Sequence, residues 1–214
     1  MITLYTFGWV PPFAKGLVRD LRVRWALEES GIPYRVRTIG EGADEVAPAD
    51  YRALQPFGQV PAIEDDGATL FESAAIVQHI ADKGGVLDVA DRIMVNQWSF
   101  AAMNTVEPHV ANLVVLDLFY VDEEWAKARR PGAVELAQSR LHDLEAALGD
   151  REWLADAFSV ADILMVTVLR LLRHTDMLAG YPGLVAYKER AEARPAFQRA
   201  LADQMALHAE PVPA

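Results

Sequence analysis

The spacing of apolar positions changes period several times within the first eighty residues. Residues 2–7, "ITLYTF", form a run of branched and aromatic side chains that ends at Gly8, Pro11 and Pro12, which predicts a buried strand. From Gly16 to Ser30 the period lengthens, and Leu17, Leu21 and Trp25 recur every fourth residue along one helical face that Gly31 and Pro33 close. Alternation returns in "PYRVRTI", where Tyr34, Val36 and Thr38 oppose Arg35 and Arg37, as in a strand with a more exposed face. Residues 40–57 are irregular apart from a short helix at "ADYRAL". "AIED" and "ATLF" then flank Asp66-Gly67, a hairpin turn signal, and Ala75, Ile76, Val77 and Ile80 follow at helical spacing. The predicted order is β-α-β-α-β-β-α over residues 1–84. Beyond Gly84-Gly85 the strand signals stop. Residues 89–214 read as a second, all-helical domain with breaks at Pro131-Gly132, at Gly149 and at the Gly180–Gly183 turn.

One helix start is explicit. Ser159 is placed as an N-cap with Asp162 at the third helical position, and Phe158 and Ile163 are placed as a hydrophobic staple. The segment that follows, "DILMVTVLRLL", is apolar nearly all round, so this helix is expected at the centre of the helical domain and its cap to be structural.

Composition narrows the function. The chain has 214 residues, 52% hydrophobic and 24% charged, enough to bury a sizeable core. A net charge of -11 argues against a nucleic-acid partner and against a polybasic membrane anchor. The opening "MITLYTFGWVPP" has no signal-peptide pattern and no apolar run reaches spanning length, so a cytoplasmic location is expected. With no cysteine, any sulfur chemistry must arrive with a ligand. The histidines lack metal-ligand spacing, no nucleophile elbow or phosphate loop is present, and no metal is expected. Gly40 and Gly42 do not complete a dinucleotide loop, because Glu45 stands where the third glycine belongs.

Two short motifs remain. Pro61 falls where strand pairing should begin. If the Val60–Pro61 bond is trans, Pro61 is an ordinary edge residue. A cis bond would turn the Val60 backbone outward, to pair with a strand-like peptide ligand. Glu72-Ser73 sits where the second hairpin strand enters a helix; a helix start and a hydroxyl favour a carboxylate, and Glu72 favours an ammonium, the two charges of an α-amino acid head group. Taken singly, Ser73 also reads as a plain cap and Glu72 as a solvated first-turn acid.

"LQPFGQVPAIEDDGATLFESAAIVQHIAD" resembles the thioredoxin-like half of the glutathione transferase superfamily, of bacterial type. "VRWALEESGIPYRV" resembles its first helix and second strand, "QWSFAAMNTVEP" the start of its helical domain, "FSVADILM" its buried capping-box helix, and "YPGLVAYKERAEARPAFQRAL" its closing helices. The likeness implies a thioredoxin-like N-terminal domain, an all-α C-terminal domain and a homodimer. It implies that Val60 pairs with the cysteinyl part of glutathione beside a cis Pro61, and that Glu72 and Ser73 hold the γ-glutamyl end. Gln59 lies where some members reach the glycyl end, although its side chain can equally face solvent.

The catalytic position departs from the family. Lowering a thiol from a pKa of about 8.5 by two units takes roughly 2.7 kcal/mol, and members usually provide Ser, Cys or Tyr after the first strand. "TFGWVPPFAKGLVRDLRVRWAL" has none. Thr6 and Tyr5 are the nearby hydroxyls, on opposite faces of the strand, so at most one serves; the alternative is stabilisation by backbone amides near Lys15 to Leu17. Trp9, Phe13, Met103 and Asn104, with Phe100, are candidates for a second-substrate pocket, although such stripes also read as helix core. Two functions follow: a transferase adding or exchanging the glutathione thiolate at a small electrophile, or a non-catalytic glutathione-binding or regulatory protein of the same fold.

Overall fold

The computed structural model describes residues 1–40, 49–85, 87 and 91–209; Gly42, Glu45 and Pro48 fall outside them. The elements of the first part are β1 (Ile2–Phe7), α1 (Asp20–Ser30), β2 (Tyr34–Ile39), α2 (Ala49–Leu54), β3 (Ala62–Asp65), β4 (Ala68–Phe71) and α3 (Ser73–Gly84). Five helices follow: α4 (Arg92–Phe100), α5 (Glu107–Val114), α6 (Glu124–Leu148), α7 (Val160–Arg170) and α8 (Pro182–Glu192), and α9 (Pro195–Leu207) closes the chain. Two compact units result: Met1–Asp88 with the chain from Arg194 onward, and Val89–Ala193. The expected division, 1–84 and 89–214, assigned α9 to the helical part, whereas α9 packs on α1.

In the first unit the sheet order is β2-β1-β3-β4, with β1 and β2 parallel and the other neighbours antiparallel. The hairpin turn has both central residues at positive φ, Asp66 at 50° and Gly67 at 85°, as a two-residue primed turn needs. β2 lies at the sheet edge and is exposed over most of its length, as its arginines foretold.

α1 starts at Asp20, later than the periodicity predicts. Pro12–Ala14 form one tight 3-10 turn and Gly16 takes φ 75°, so the chain between them and Asp20 is spent in turns closed by Leu17 N–H to Ala14 O and Leu21 N–H to Val18 O. Its burial is also wider than one stripe. Packed on β1, α3 and α9, α1 buries every residue from Asp20 to Leu27, including Arg22 and Arg24. Trp25 meets Phe197 of α9 edge-on at 4.8 Å, Arg194 clamps Glu29 with two bonds of 2.6 and 2.8 Å, and Arg199 Nε reaches Glu28 at 2.7 Å.

In the second unit α7 is buried from Val160 to Leu169, and its capping box forms as predicted. Ser159 N–H donates to Asp162 Oδ2 at 2.9 Å and Ala161 N–H to Ser159 Oγ at 3.3 Å. Asp162 Oδ1 also accepts from Leu154 N–H at 3.0 Å and from the Tyr187 hydroxyl at 2.8 Å. The expected break at Pro131-Gly132 does not occur: α6 runs through both residues, which lie on its exposed side. Two stretches, Ala101–Val106 and Val115–Phe119, widen to π-helix, the first lying between α4 and α5.

Candidate functional site

The register of the hairpin sets the site. Ala62 pairs with Phe71 at the open end of the β3–β4 ladder, so the next residues on either side, Pro61 and Val60 on one strand and Glu72 and Ser73 on the other, leave the same end of the sheet. The Val60–Pro61 bond is cis. Among the described residues no backbone hydrogen bond reaches Val60, since β3 begins its pairing with β1 at Ala62. Its orientation is set one residue earlier. Tyr51 of α2 donates its hydroxyl to the Gln59 carbonyl at 2.6 Å, and the buried Gln55 accepts the Gln59 N–H at 3.2 Å. The Gln59 side chain is exposed. Below, the Val60 side chain joins Tyr5, Ile39, Tyr51 and Ala62 in one cluster, against which Phe7 and Val18 pack.

On the other strand, Glu72 is the N-cap of α3 and takes φ 68°, ψ 112°, a region that residues with a Cβ seldom occupy. It makes no side-chain cap bond and its side chain is exposed. Strain held at such a point is found where a side chain must face a ligand. Ser73, 3% exposed, begins the helix, and its hydroxyl accepts from Nη1 of the buried Arg22 at 3.0 Å. The start of α3 therefore combines first-turn N–H groups, a hydroxyl and a guanidinium beneath, with one carboxylate alongside. That arrangement suits an anion and a cation a few ångströms apart.

Sequence reasoning missed Arg22, Gln55 and Tyr51. Arg22 had no signal, being one polar residue in a helix read as apolar on a single face. Gln55 stands four residues before Gln59, a spacing that a turn can bridge.

Neither hydroxyl candidate is free to meet a thiol. Thr6 is fully buried, and among the described residues its Oγ1 has no hydrogen-bond partner. Tyr5 donates its hydroxyl to Glu64, and burial, reinforced by that carboxylate, pushes its pKa up, which opposes its taking the proton of a thiol, while its own proton is engaged by Glu64. Trp9 and Phe13 are half-buried in the loop after β1. In the second unit, Met103 is half-buried and Asn104 exposed on the first π-helical stretch, and Phe100 is 67% exposed just before it. A separate groove of about 710 Å³, lined by Arg24, Tyr34, Val36, Asp203 and Leu207 among others, includes none of the proposed ligand residues. Among the described residues no group of three or more His, Asp or Glu side chains could hold a metal ion, and no helix is long and apolar enough to cross a membrane.

A four-stranded mixed sheet whose hairpin end offers an unpaired backbone beside a charged helix start, followed by a helical unit, defines a class. The family described as "Glutathione S-transferase, N-terminal domain" matches residues 21–83, and "Glutathione S-transferase, C-terminal domain" matches residues 116–195. Glutathione S-transferase 4 of Zea mays is 30% identical over 204 residues, covering 89% of this chain and 88% of its own. Probable maleylacetoacetate isomerase 2 of Drosophila melanogaster is 32% identical over 195 residues, covering 84% and 81%. Among solved structures, a glutathione transferase from Pseudomonas putida with one glutathione disulfide bound per subunit has a TM-score of 0.82 at 26% identity, covering 94% of this chain and 90% of that one. The chain belongs to the glutathione S-transferase family. Its first unit carries the thioredoxin-like fold and its second the family's helical C-terminal domain.

Proposed function

We propose that this protein takes glutathione as co-substrate, needs no metal, and adds or exchanges the glutathione thiolate at a small electrophilic substrate. The observation that carries the reading is the shared hairpin end: an unpaired Val60 backbone on one strand and a strained, exposed Glu72 with Ser73 on the other. A tripeptide lying beside Val60 and Pro61 continues the sheet by one strand. Its γ-glutamyl carboxylate then meets the start of α3 at Ser73, its ammonium meets Glu72, and Gln59 lies towards its glycyl end.

Thr6 and Tyr5 remain the hydroxyl candidates. The burial of Thr6 and the engagement of Tyr5 by Glu64 favour the other route, in which N–H groups of the loop between β1 and α1 steady the thiolate. Trp9, Phe13, Met103 and Asn104 are proposed for the second substrate. The proposal includes a cytoplasmic homodimer of bacterial type, the last supported by the likeness to the Pseudomonas putida enzyme, with neither nucleic acid nor membrane as partner. One observation keeps a second reading, a glutathione-binding protein without turnover: the loop lacks Ser, Cys and Tyr. Calorimetric titration with glutathione, followed by a panel of conjugation, peroxide-reduction and isomerisation assays, separates them. Binding without turnover on any member defeats the enzyme reading, and no binding defeats both.

A further inference from the structure

α1 packs on α3, and a polar link between the two helices falls at the start of α3. Arg22, 2% exposed, donates from Nη1 to the Ser73 hydroxyl oxygen at 3.0 Å, from 51 residues earlier in the chain. A guanidinium has N–H donors and no acceptor, so the direction of this bond is fixed and Ser73 accepts. With one lone pair held by a cation, the hydroxyl proton points elsewhere. Among the described residues the bond from Arg22 is the one that the Ser73 side chain makes.

Neither the helix nor its docking accounts for this link. Glu72 is the N-cap, and the Ile76 N–H closes the first turn on the Glu72 carbonyl at 2.9 Å, so the Ser73 hydroxyl stands one place past the cap. Ile76, Val77 and Ile80 already bury their side chains completely, and a buried cation adds a desolvation cost that an apolar contact in its place avoids. What the arginine supplies is a fixed polarity at Ser73.

We infer that Arg22 is a positioning residue that makes Ser73 a donor selective for the α-carboxylate of the γ-glutamyl end, an inference that rests on the glutathione site proposed above. A hydroxyl free to rotate meets a ligand donor or a ligand acceptor alike. One whose oxygen is held by a guanidinium turns its proton to the ligand, and the charged bond polarises the O–H so that it donates more strongly. The group that suits it is an acceptor with no donor of its own, a carboxylate. The first-turn N–H groups of α3, which have no acceptor within the helix, favour the same charge. The ammonium falls to Glu72, whose exposed side chain makes no cap bond. Arginine suits the task because its charge persists under burial and its planar fork sets the direction of the bond.

The test uses the full chain and calorimetric Kd values for three probes: glutathione, an analogue with hydrogen in place of the γ-glutamyl α-carboxylate, and an analogue with hydrogen in place of its ammonium. Wild type should bind the decarboxylated analogue about 10- to 150-fold more weakly than glutathione, the range of a charge-assisted bond. Arg22→Lys keeps the charge and most of the bulk but ends a bond short of Nη1. It should weaken glutathione and the deaminated analogue alike by about tenfold and leave the decarboxylated analogue within about twofold. Arg22→Met, with neither charge nor donor, should repeat that pattern. Ser73→Ala should narrow the gap between glutathione and the decarboxylated analogue by a similar factor, and adding Arg22→Lys to it should narrow the gap no further. A loss shared by all three probes makes Arg22 a support of the fold alone and overturns the inference. An unmoved gap in Arg22→Lys overturns it too, as does further narrowing in the double variant. Failure of the site itself gives a different result, a wild-type chain that does not bind glutathione or binds the decarboxylated analogue equally well.

Discussion

Replacing Glu72 by glycine and, separately, by alanine divides what this residue does for the fold from what it does for the ligand. At φ 68° and ψ 112° Glu72 occupies a conformation that costs of order 1–3 kcal/mol for a residue with a Cβ and little for glycine. Glycine adds back about 0.4–1 kcal/mol of unfolded-state entropy, so Glu72→Gly should stabilise the chain by roughly 0.5–2 kcal/mol. For a chain of this length that raises Tm by about 1–8 °C at 2–4 °C per kcal/mol. Glu72→Ala keeps the strain and, because the side chain is exposed and caps nothing, should leave Tm within about 1 °C of wild type. Both variants lose the carboxylate. A charge-assisted bond to the ligand ammonium is worth about 1.5–3 kcal/mol, so glutathione should bind both about 10- to 150-fold more weakly. Calorimetric melting and titration of the three proteins give both quantities. Equal Tm for the glycine and alanine variants would remove the strain argument, and wild-type affinity in either would remove the ammonium assignment.

Other expectations follow from the same geometry. Tyr5→Phe and Thr6→Val should retain turnover within about threefold, because one hydroxyl is bound to Glu64 and the other is buried with no partner among the described residues; a steady-state loss of a hundredfold in either would restore it as the thiol's partner. Asp162→Ala should cost on the order of 3 kcal/mol in urea unfolding, since it strands the Ser159 and Leu154 amides and the Tyr187 hydroxyl inside the second unit; a loss below about 1 kcal/mol would contradict the bond pattern. Lys83, bonded to Asp65 at 2.7 Å, with His79 at 2.8 Å, holds the Asp65 carboxyl below its ordinary range. A carboxyl depressed on folding adds stability that is complete above about pH 4 and lost as the pH falls through the folded value. Lys83→Met should therefore flatten the acid limb of urea midpoint against pH, and an unchanged limb would deny the pair any weight.

Local signals carried much of the fold. The turn at Asp66-Gly67, the cap at Gly31 with its N–H to the Leu27 carbonyl, and the Ser159–Asp162 box each depend on residues within a few positions of one another, and each formed as read. Misreadings came where distant parts decide. α1 looked one-faced because the sequence does not say that α3 and α9 will cover its other sides, where Arg22 and Arg24 are buried, Arg22 reaching Ser73 of α3. An interior proline removes one backbone hydrogen bond and crowds the carbonyl four residues earlier, which predicts a kink or a break. α6 passes Pro131 and Gly132 on its exposed side, where the ring meets solvent. For the proposed site, Val60, Glu72 and Ser73 could be singled out because a proline at a strand start and an acid–serine pair at a helix start each have a local meaning, and the hairpin brings them to one end of the sheet. The bonds that hold these residues were not legible: Tyr51 reaches the Gln59 carbonyl across 8 residues of chain and Arg22 reaches Ser73 across 51.

The most direct measurement is a titration of the isotopically labelled chain with glutathione, following backbone amide signals by NMR. Saturable one-site binding, with the largest shifts at Val60 and at the first-turn amides Ser73, Ala74 and Ala75, is the result predicted here. Saturation with those amides unmoved, or no binding at all, would contradict the proposed hairpin-end site.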